Sequence, residues 1–469
     1  AHWMGHGEHN SIQYEEEELI VPRTGAKKAE KAPYPIWRIL LITIGMFGME
    51  FPWSFEYTFY TPTLRELGVP SWVASYAWIF SPLAAILFVP VFGSLSDKIN
   101  TPIGKRSPFL IVTTLVSCLA MVAIPLVVPL GQAIVTTSNN LAVVLVVTAY
   151  LILDFSNKIY EEMLRALIVS VLPGSQIATA NAMYTAVSGL GSAMGYLFGY
   201  VPFTEVAMYG VGIAIFVPCA ILSLVAAREK RYKPTKEEML EKAQNPKGIK
   251  NVLRTLKSFP PMFYFLMFTQ LIAWMGLWPV WTFVSDWMGE TIFGGDPNAD
   301  PGTTSYDDYT AGVHAGSLAN GLMALVNVIF SFCVTPMARK LGMKPIYLVC
   351  HLISGSALVL CYWASKEWTA VALVTCGGFA WSVNGTFPYV IICNYIQLKD
   401  RGLAVGLIYV TTIFAQIVVA IGFGYVISLT DADISITLLM GGISLLVSGG
   451  LSMVLTMKQP DKETDSKLS

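Results

Sequence analysis

Apolar runs of about 20 residues, separated by short polar breaks, fill most of this 469-residue chain. A helical run of that length matches the hydrocarbon thickness of a bilayer. The pattern predicts twelve spans, near residues 37–58, 72–95, 108–130, 141–172, 177–201 and 204–227, then 261–285, 311–333, 345–364, 368–396, 402–428 and 432–456. The hydrophilic stretch 228–260 divides them six and six. The predicted organisation is an all-α membrane protein. It has a tail at 1–35, a six-helix bundle at 36–227, a linker at 228–260, a second six-helix bundle at 261–456 and a tail at 457–469.

Composition agrees with that reading. Hydrophobic residues make up 54% of the chain and charged residues 13%, against about 25% charged in an ordinary soluble domain. A net charge of −1 offers no field for nucleic acid, so no nucleic-acid partner is expected. The placement of charge says more. The linker carries ten Lys/Arg, whereas residues 286–310 carry six acids and no Lys or Arg. The positive-inside rule puts the linker in the cytosol, with Lys98, Lys105, Arg106 and Arg38, and the 286–310 loop outside. Twelve spans then leave both termini in the cytosol. His2, His6 and His9 lie in a polar tail read as disordered. The seven cysteines fall in apolar segments without a CxxC pair, so they read as small buried hydrophobes rather than a metal or disulfide framework.

One span breaks the apolar rule. Asp154, Lys158, Glu161 and Arg165 recur at spacings of 4, 3 and 4 inside residues 141–172. At 3.6 residues per turn they fall within an arc of about 60°. A charged stripe on a membrane helix faces a wet cavity or its own partners. The spacing predicts two couples, Asp154 with Lys158 and Glu161 with Arg165. Glu162 points about 80° from Asp154 and reads as an interfacial or interhelix charge. Span one adds Glu50 and Glu56, six apart and so on different sides of the helix; Glu56 reads as the cavity residue and Glu50 as a partner of a basic residue. Trp53, Tyr57 and Tyr60 could offer aromatic faces to a solute. His314 would open span eight, and Asp286 and Trp287 would cap span seven outside. Gly189, Gly191 and Gly195, with Ser188 and Ser192, make a small-residue face for close packing. Ala404, Gly406, Gly422 and Gly424 do likewise in span eleven. Asn384-Gly385 and Pro388 read as an interruption of span ten.

Gly93-Ser-Leu-Ser-Asp97-Lys98 follows span two, and Pro336-Met-Ala-Arg339-Lys-Leu-Gly342-Met-Lys344 follows span eight, the equivalent place in the second half. The first of these, with Gly104-Lys105-Arg106, resembles the cytosolic loop signature of the major facilitator superfamily. Such a loop would act as a gating latch, with Asp97 accepting hydrogen bonds from a helix N-terminus and Lys98 and Arg106 supplying positive charge. Ser96-Asp97-Lys98, Gly104-Lys105-Arg106 and Pro108-Phe109 in this register resemble the sucrose-transporter family and its animal proton-coupled sugar-transporter relatives. Further matches are Glu50-Phe51, Trp53, Glu56 and Thr61-Pro62; Leu153-Asp154, Asn157 and Arg165-Ala166-Leu167; Asp286-Trp287-Met288-Gly289; Gly294-Gly295-Asp296-Pro297; Ala311-Gly312-Val313; and Arg401-Gly402-Leu403-Ala404.

The resemblance implies a twelve-helix major facilitator fold working by alternating access. It assigns Asp154 the role of proton acceptor and Arg165 a role in sugar and charge coupling, with Asn157, Glu161, Glu56, Trp53 and Lys158 as candidate substrate contacts. Low dielectric disfavours the charged form of any lone carboxylate, which is compatible with a proton carrier. Lys158 and Glu161 depart from the plant pattern, which has neutral residues there. The expected function is proton-coupled uptake of a disaccharide such as sucrose or maltose, by a monomer, with no cofactor beyond the proton. The plasma membrane is the expected location, a vacuolar or lysosomal membrane the alternative. A uniporter, or a symporter of glucose or a polyol, fits the same pattern, and a transport-inactive sensor fits it less well because the cytosolic segments are short. No phosphate loop, metal cluster or nucleophile constellation supports an enzyme.

Overall fold

The computed structural model describes residues 33–99, 101–135, 138–231, 255–396, 401–430 and 433–455. A few side chains within these stretches, including those of Asp97, Lys98 and Cys393, lie outside the described set. The described residues form helices throughout, with no strand among them. The first half contains α1 (Ile36–Glu66), α2 (Ser71–Tyr76), α3 (Phe80–Lys98), α4 (Ser107–Ile134), α5 (Asn140–Val171), α6 (Ile177–Gly199) and α7 (Glu205–Ala227). The second contains α8 (Pro261–Asp286), α9 (Thr304–Leu341), α10 (Met343–Leu360), α11 (Glu367–Thr375), α12 (Gly377–Tyr395), α13 (Arg401–Val418), α14 (Gly424–Leu429) and α15 (Ser435–Ser452). A 3₁₀ turn at Ala77–Ile79 joins α2 to α3 into one span. Wide turns at Trp287–Ile292 and Val419–Phe423 extend α8 and carry α13 into α14.

Eleven of these helical stretches are long and apolar enough to cross a membrane. The 23-residue α6 has comparable length but is built of small and mildly polar residues. Its small face does what the sequence predicts. A Cβ on Gly191 would lie 2.6 Å from the Phe47 carbonyl oxygen of α1, so any side chain there would push the two helices apart. In the second half Gly276 of α8 and Gly441 of α15 meet in the same way, a Cβ on the first lying 2.8 Å from the second's carbonyl oxygen. The span-eleven glycines behave differently: Gly424 packs on Trp72 and Ser75, whereas Gly406 and Gly422 face open space.

Several predicted boundaries move. α1 continues eight residues past the predicted end at 58, because Thr58, Thr61 and Thr63 are buried against other helices and return hydrogen bonds to carbonyls or neighbouring hydroxyls. The acidic loop is shorter than 286–310. Asp286 and Trp287 do not cap α8 outside; they are buried, Asp286 accepting from the Tyr309 hydroxyl at 2.8 Å and Trp287 donating to Ser435 at 3.2 Å. α9 starts at Thr304, so His314 lies well inside it, with Nδ1 2.6 Å from the Gly199 carbonyl. Span ten breaks at Cys376, between α11 and α12, and runs unbroken through Asn384, Gly385 and Pro388. Among the described cysteines Cys333 is exposed rather than buried, and Cys350 and Cys361 are buried.

Hydrogen bonds between the halves gather toward the Arg65 end of the bundle. Arg65 of α1 donates from Nε (3.0 Å) and Nη2 (2.7 Å) to Glu290 Oε1. Thr58 and Ser317 hydroxyls lie 3.1 Å apart, Ser317 donates to the Tyr196 carbonyl at 2.7 Å, and Ser75 donates to the Ala420 carbonyl at 2.9 Å.

Candidate solute-binding site

Asp154 lies near the middle of α5, buried at 2% exposure, and its neighbours come from other helices. Trp53 of α1 donates its indole N–H to Oδ1 at 3.2 Å, and Ser81 of α3 donates its hydroxyl to Oδ2. Both donors are neutral. Ser81 carried no signal in the sequence, since a serine in an apolar run resembles many others.

The predicted Asp154–Lys158 ion pair is not formed; among the described residues no salt bridge joins the two. Lys158 instead places its ammonium over the Trp53 ring, 4.4 Å from the centroid. The ring face attracts a cation while the ring edge serves the carboxylate, so one indole holds both charges apart. Lys158 also interacts electrostatically with the Tyr409 hydroxyl of α13, Asp154, Glu161 and Glu50. Tyr409 brings the second half to the stripe.

The second predicted couple is present. Arg165 Nη2 donates to Glu161 Oε1 at 2.9 Å, with side-chain exposures of 48% and 13%. The guanidinium also lies over the Tyr184 ring of α6, 4.4 Å from its centroid. Eleven residues of helix set Asp154 and Arg165 about 16 Å apart along the axis. Asn157 faces away from the stripe, accepting from Ser117 of α4 at 2.9 Å, with its amide nitrogen unpartnered among the described residues. Glu56 is buried on α1 with Oε2 likewise unpartnered among the described residues. Glu50 forms no salt bridge among the described residues; it accepts from Ser188 of α6 at 2.8 Å and lies within electrostatic reach of Lys158 and Arg165 of α5. Glu162 is half-buried.

Rings close the site on its Arg65 side. Tyr57 approaches Trp53 (6.0 Å between centroids) and stacks on Trp78 (5.2 Å, 7°), and Tyr60 meets Trp78 edge-on. Beyond this roof, at the Arg65 end, a cavity of about 600 Å³ is lined by Glu66, Gln132, Glu205, Tyr306 and His314 among others. The stripe takes no part in it.

At the opposite end the candidate gate is only partly described. The backbone of Asp97 and Lys98 closes α3, and their side chains lie outside the described set. Arg106 bonds the Ser96 hydroxyl. The carboxylate that caps α4 is one the sequence did not single out. Glu229 accepts from the backbone N–H groups of Lys105 (3.0 Å), Arg106 (3.0 Å) and Ser107 (2.9 Å) and from the Ser107 hydroxyl (2.8 Å). An anion at a helix N-terminus satisfies donors that the helix leaves open. Arg228 adopts a left-handed conformation (φ 47°, ψ 50°) that turns the chain off α7 toward this contact.

Comparison with known proteins agrees with this architecture. Residues 39–282 match the family described as MFS/sugar transport protein, and residues 301–468 match the Major Facilitator Superfamily. The chain is 24% identical over 449 residues to sucrose transport protein SUT1 of Oryza sativa subsp. japonica, covering 84% of this chain and 82% of that one. It is 24% identical over 458 residues to sucrose transport protein SUC4 of Arabidopsis thaliana, covering 87% and 88%. In fold it is similar to the nucleoside transporter NupG, with a TM-score of 0.61, 14% identity and coverage of 90% and 100%. It is also similar to a D-xylose-proton symporter, with a TM-score of 0.61, 13% identity and coverage of 91% and 100%.

Proposed function

Because this chain belongs to the major facilitator superfamily and its sucrose-transporter family, as a multi-pass membrane transporter of sugar rather than an enzyme, we propose that it is a proton-coupled symporter. Its substrate is a disaccharide such as sucrose or maltose, and no cofactor takes part beyond the coupling proton. The observation that carries the coupling is Asp154. It is a buried carboxylate at mid-helix whose two oxygens rest on neutral donors from α1 and α3, without an ion pair among the described residues. Neutral donors tolerate either protonation state, whereas an ion pair would have to break each time the carboxylate took a proton. A discharged carboxylate can move with its helices through the membrane interior.

With the basic end in the cytosol, the hydrogen bonds between the halves close the outer side. Arg165, 48% exposed, opens toward the cytosol. This supports an inward-facing conformer of an alternating-access carrier. The proposed carrier works as a monomer in the plasma membrane with both termini cytosolic. Lys158 supports a second reading: a positive charge near Asp154 favours the ionised carboxylate, and a permanently ionised Asp154 would leave a uniporter.

Uptake into proteoliposomes separates the two. In the symporter, radiolabelled sucrose or maltose accumulates against its gradient when protons are driven inward, and Asp154→Asn reduces the protein to passive equilibration. Wild-type uptake indifferent to the proton gradient would establish the uniporter.

A further inference from the structure

Glu56 is a buried carboxyl that coupling through Asp154 alone leaves without a task. It sits on α1 at 2% exposure, and its Oε2 is sealed with no hydrogen-bond partner among the described residues. It lies three residues after Trp53, so the two side chains share a face of the helix. Trp53 bonds Asp154 of α5 through its indole N–H, and the same group lies within reach of Glu56. Glu56 and Asp154 thus stand within electrostatic reach of one another beside one indole.

Charge balance separates Glu56 from the other acids. Two cations, Lys158 and Arg165, serve this region against the carboxyls of Glu50, Glu56, Asp154 and Glu161, and the half-buried Glu162 adds a further one. Excess negative charge in low dielectric is costly, and protons remove it. Glu161 has the Arg165 guanidinium, Asp154 has Trp53 and Ser81, and Glu50 has Ser188 with both cations in reach. Glu56 has an oxygen with no donor. An unpartnered hydroxyl costs less there than an unpartnered charge. The other titratable groups in reach of Glu56 are Tyr57 and Tyr60 of α1, Tyr150 of α5, Tyr196 of α6 and Tyr209 of α7. Phenols stay neutral through the working range of pH.

We propose that Glu56 is a second proton-carrying residue: Glu56 and Asp154 share one proton beside Trp53, and in the conformer described here it rests on Glu56 while Asp154 is ionised. The proposal rests on the symport reading and deepens it. Two neighbouring carboxyls resist joint ionisation, so the pair keeps a proton that either alone would give up sooner. When the proton crosses, an O–H bond of Glu56 breaks, one forms on Asp154, and the total charge is unchanged. Lys158 then poses no obstacle to coupling, because an ionised Asp154 leaves the proton on its neighbour. Asp154→Asn still costs coupling, since it removes the charge that retains the proton on Glu56.

The test is initial uptake of radiolabelled sucrose and maltose by the full chain in proteoliposomes, followed against external pH. Glu56→Gln leaves the proton only Asp154, where two donors and Lys158 favour the charged form. The pH midpoint of uptake should therefore fall by about one unit or more. Glu56→Asp should stay nearer the wild type. KM measured well below the midpoint should change by less than about twofold. The infrared spectrum of the wild type should hold a protonated-carboxyl band that Glu56→Gln abolishes and Glu56→Asp shifts. The aspartate variant carries the test if the glutamine variant fails to fold. A raised KM with an unmoved pH midpoint in folded Glu56→Gln would make Glu56 a solute contact and overturn the proposal. So would a carboxyl band that neither variant alters. Wild-type uptake indifferent to the proton gradient would instead overturn the symport reading beneath it.

Discussion

The contact between Arg65 and Glu290 should set the balance between the two conformers. Both arginine donors converge on one carboxylate oxygen, at 3.0 and 2.7 Å, and the side chains are 12% and 22% exposed. A charge-assisted hydrogen bond at this depth contributes about 1.5–3 kcal/mol. An outward-open carrier has to break it, so the bond favours only the conformer described here. Glu290→Gln keeps the shape and one acceptor but removes the charge. The ratio of closed to open outer ends should then fall about 10- to 100-fold. Arg65→Gln should fall further. Arg65 also stands within electrostatic reach of Asp286, and Asp286 and Glu290 repel one another. Without the guanidinium, two carboxylates are left facing each other.

Double electron–electron resonance reads this balance, with spin labels at Gln132 and Thr291, exposed sites on the two halves, in a background without native cysteines. The wild type should give mainly the short distance. Glu290→Gln should populate a longer one, and Arg65→Gln more of it. The charge swap Arg65→Glu with Glu290→Arg should recover only part of the short distance, because the relocated Glu would still face Asp286. A distance distribution unmoved by either single variant would refute the reasoning. So would an Arg65→Gln variant milder than Glu290→Gln, because the electrostatic argument fixes that order.

The spans were legible because apolar length is a local property, and the departures occur where polar residues found partners on other helices. Thr58, Thr61 and Thr63 look like the end of a membrane helix; buried and bonded, they are the inside of one. Asp286 resembles an acidic loop residue until Tyr309, 23 positions on, supplies a donor. The same division runs through the site. Glu161 and Arg165 pair as their spacing predicts, since neighbours at i and i+4 share a helix face. Asp154 and Lys158 have the same spacing and do not pair. Trp53 of α1 offers one its edge and the other its face, and no rule along α5 alone could include it.

Close packing and the arrangement of the stripe each yield a further expectation. Gly191→Leu places a branched side chain where even a Cβ comes within 2.6 Å of a backbone oxygen, and should destabilise the α1–α6 contact by about 1–3 kcal/mol. A clear drop in the unfolding temperature of the detergent-purified protein checks this, and an unchanged temperature counts against the helix contact described. A double-mutant cycle of Asp154→Asn and Lys158→Met tests whether Trp53 separates the two charges. Were they a buried ion pair, each single change would strand a charge at a cost of about 3–5 kcal/mol, and the double variant would recover most of it. With Asp154 held by neutral donors and Lys158 held by a ring, each charge keeps its own partner when the other is lost. The coupling energy on unfolding should therefore stay below about 1 kcal/mol. A value near about 3 kcal/mol would restore the ion pair and remove the argument that Asp154 is free to take a proton.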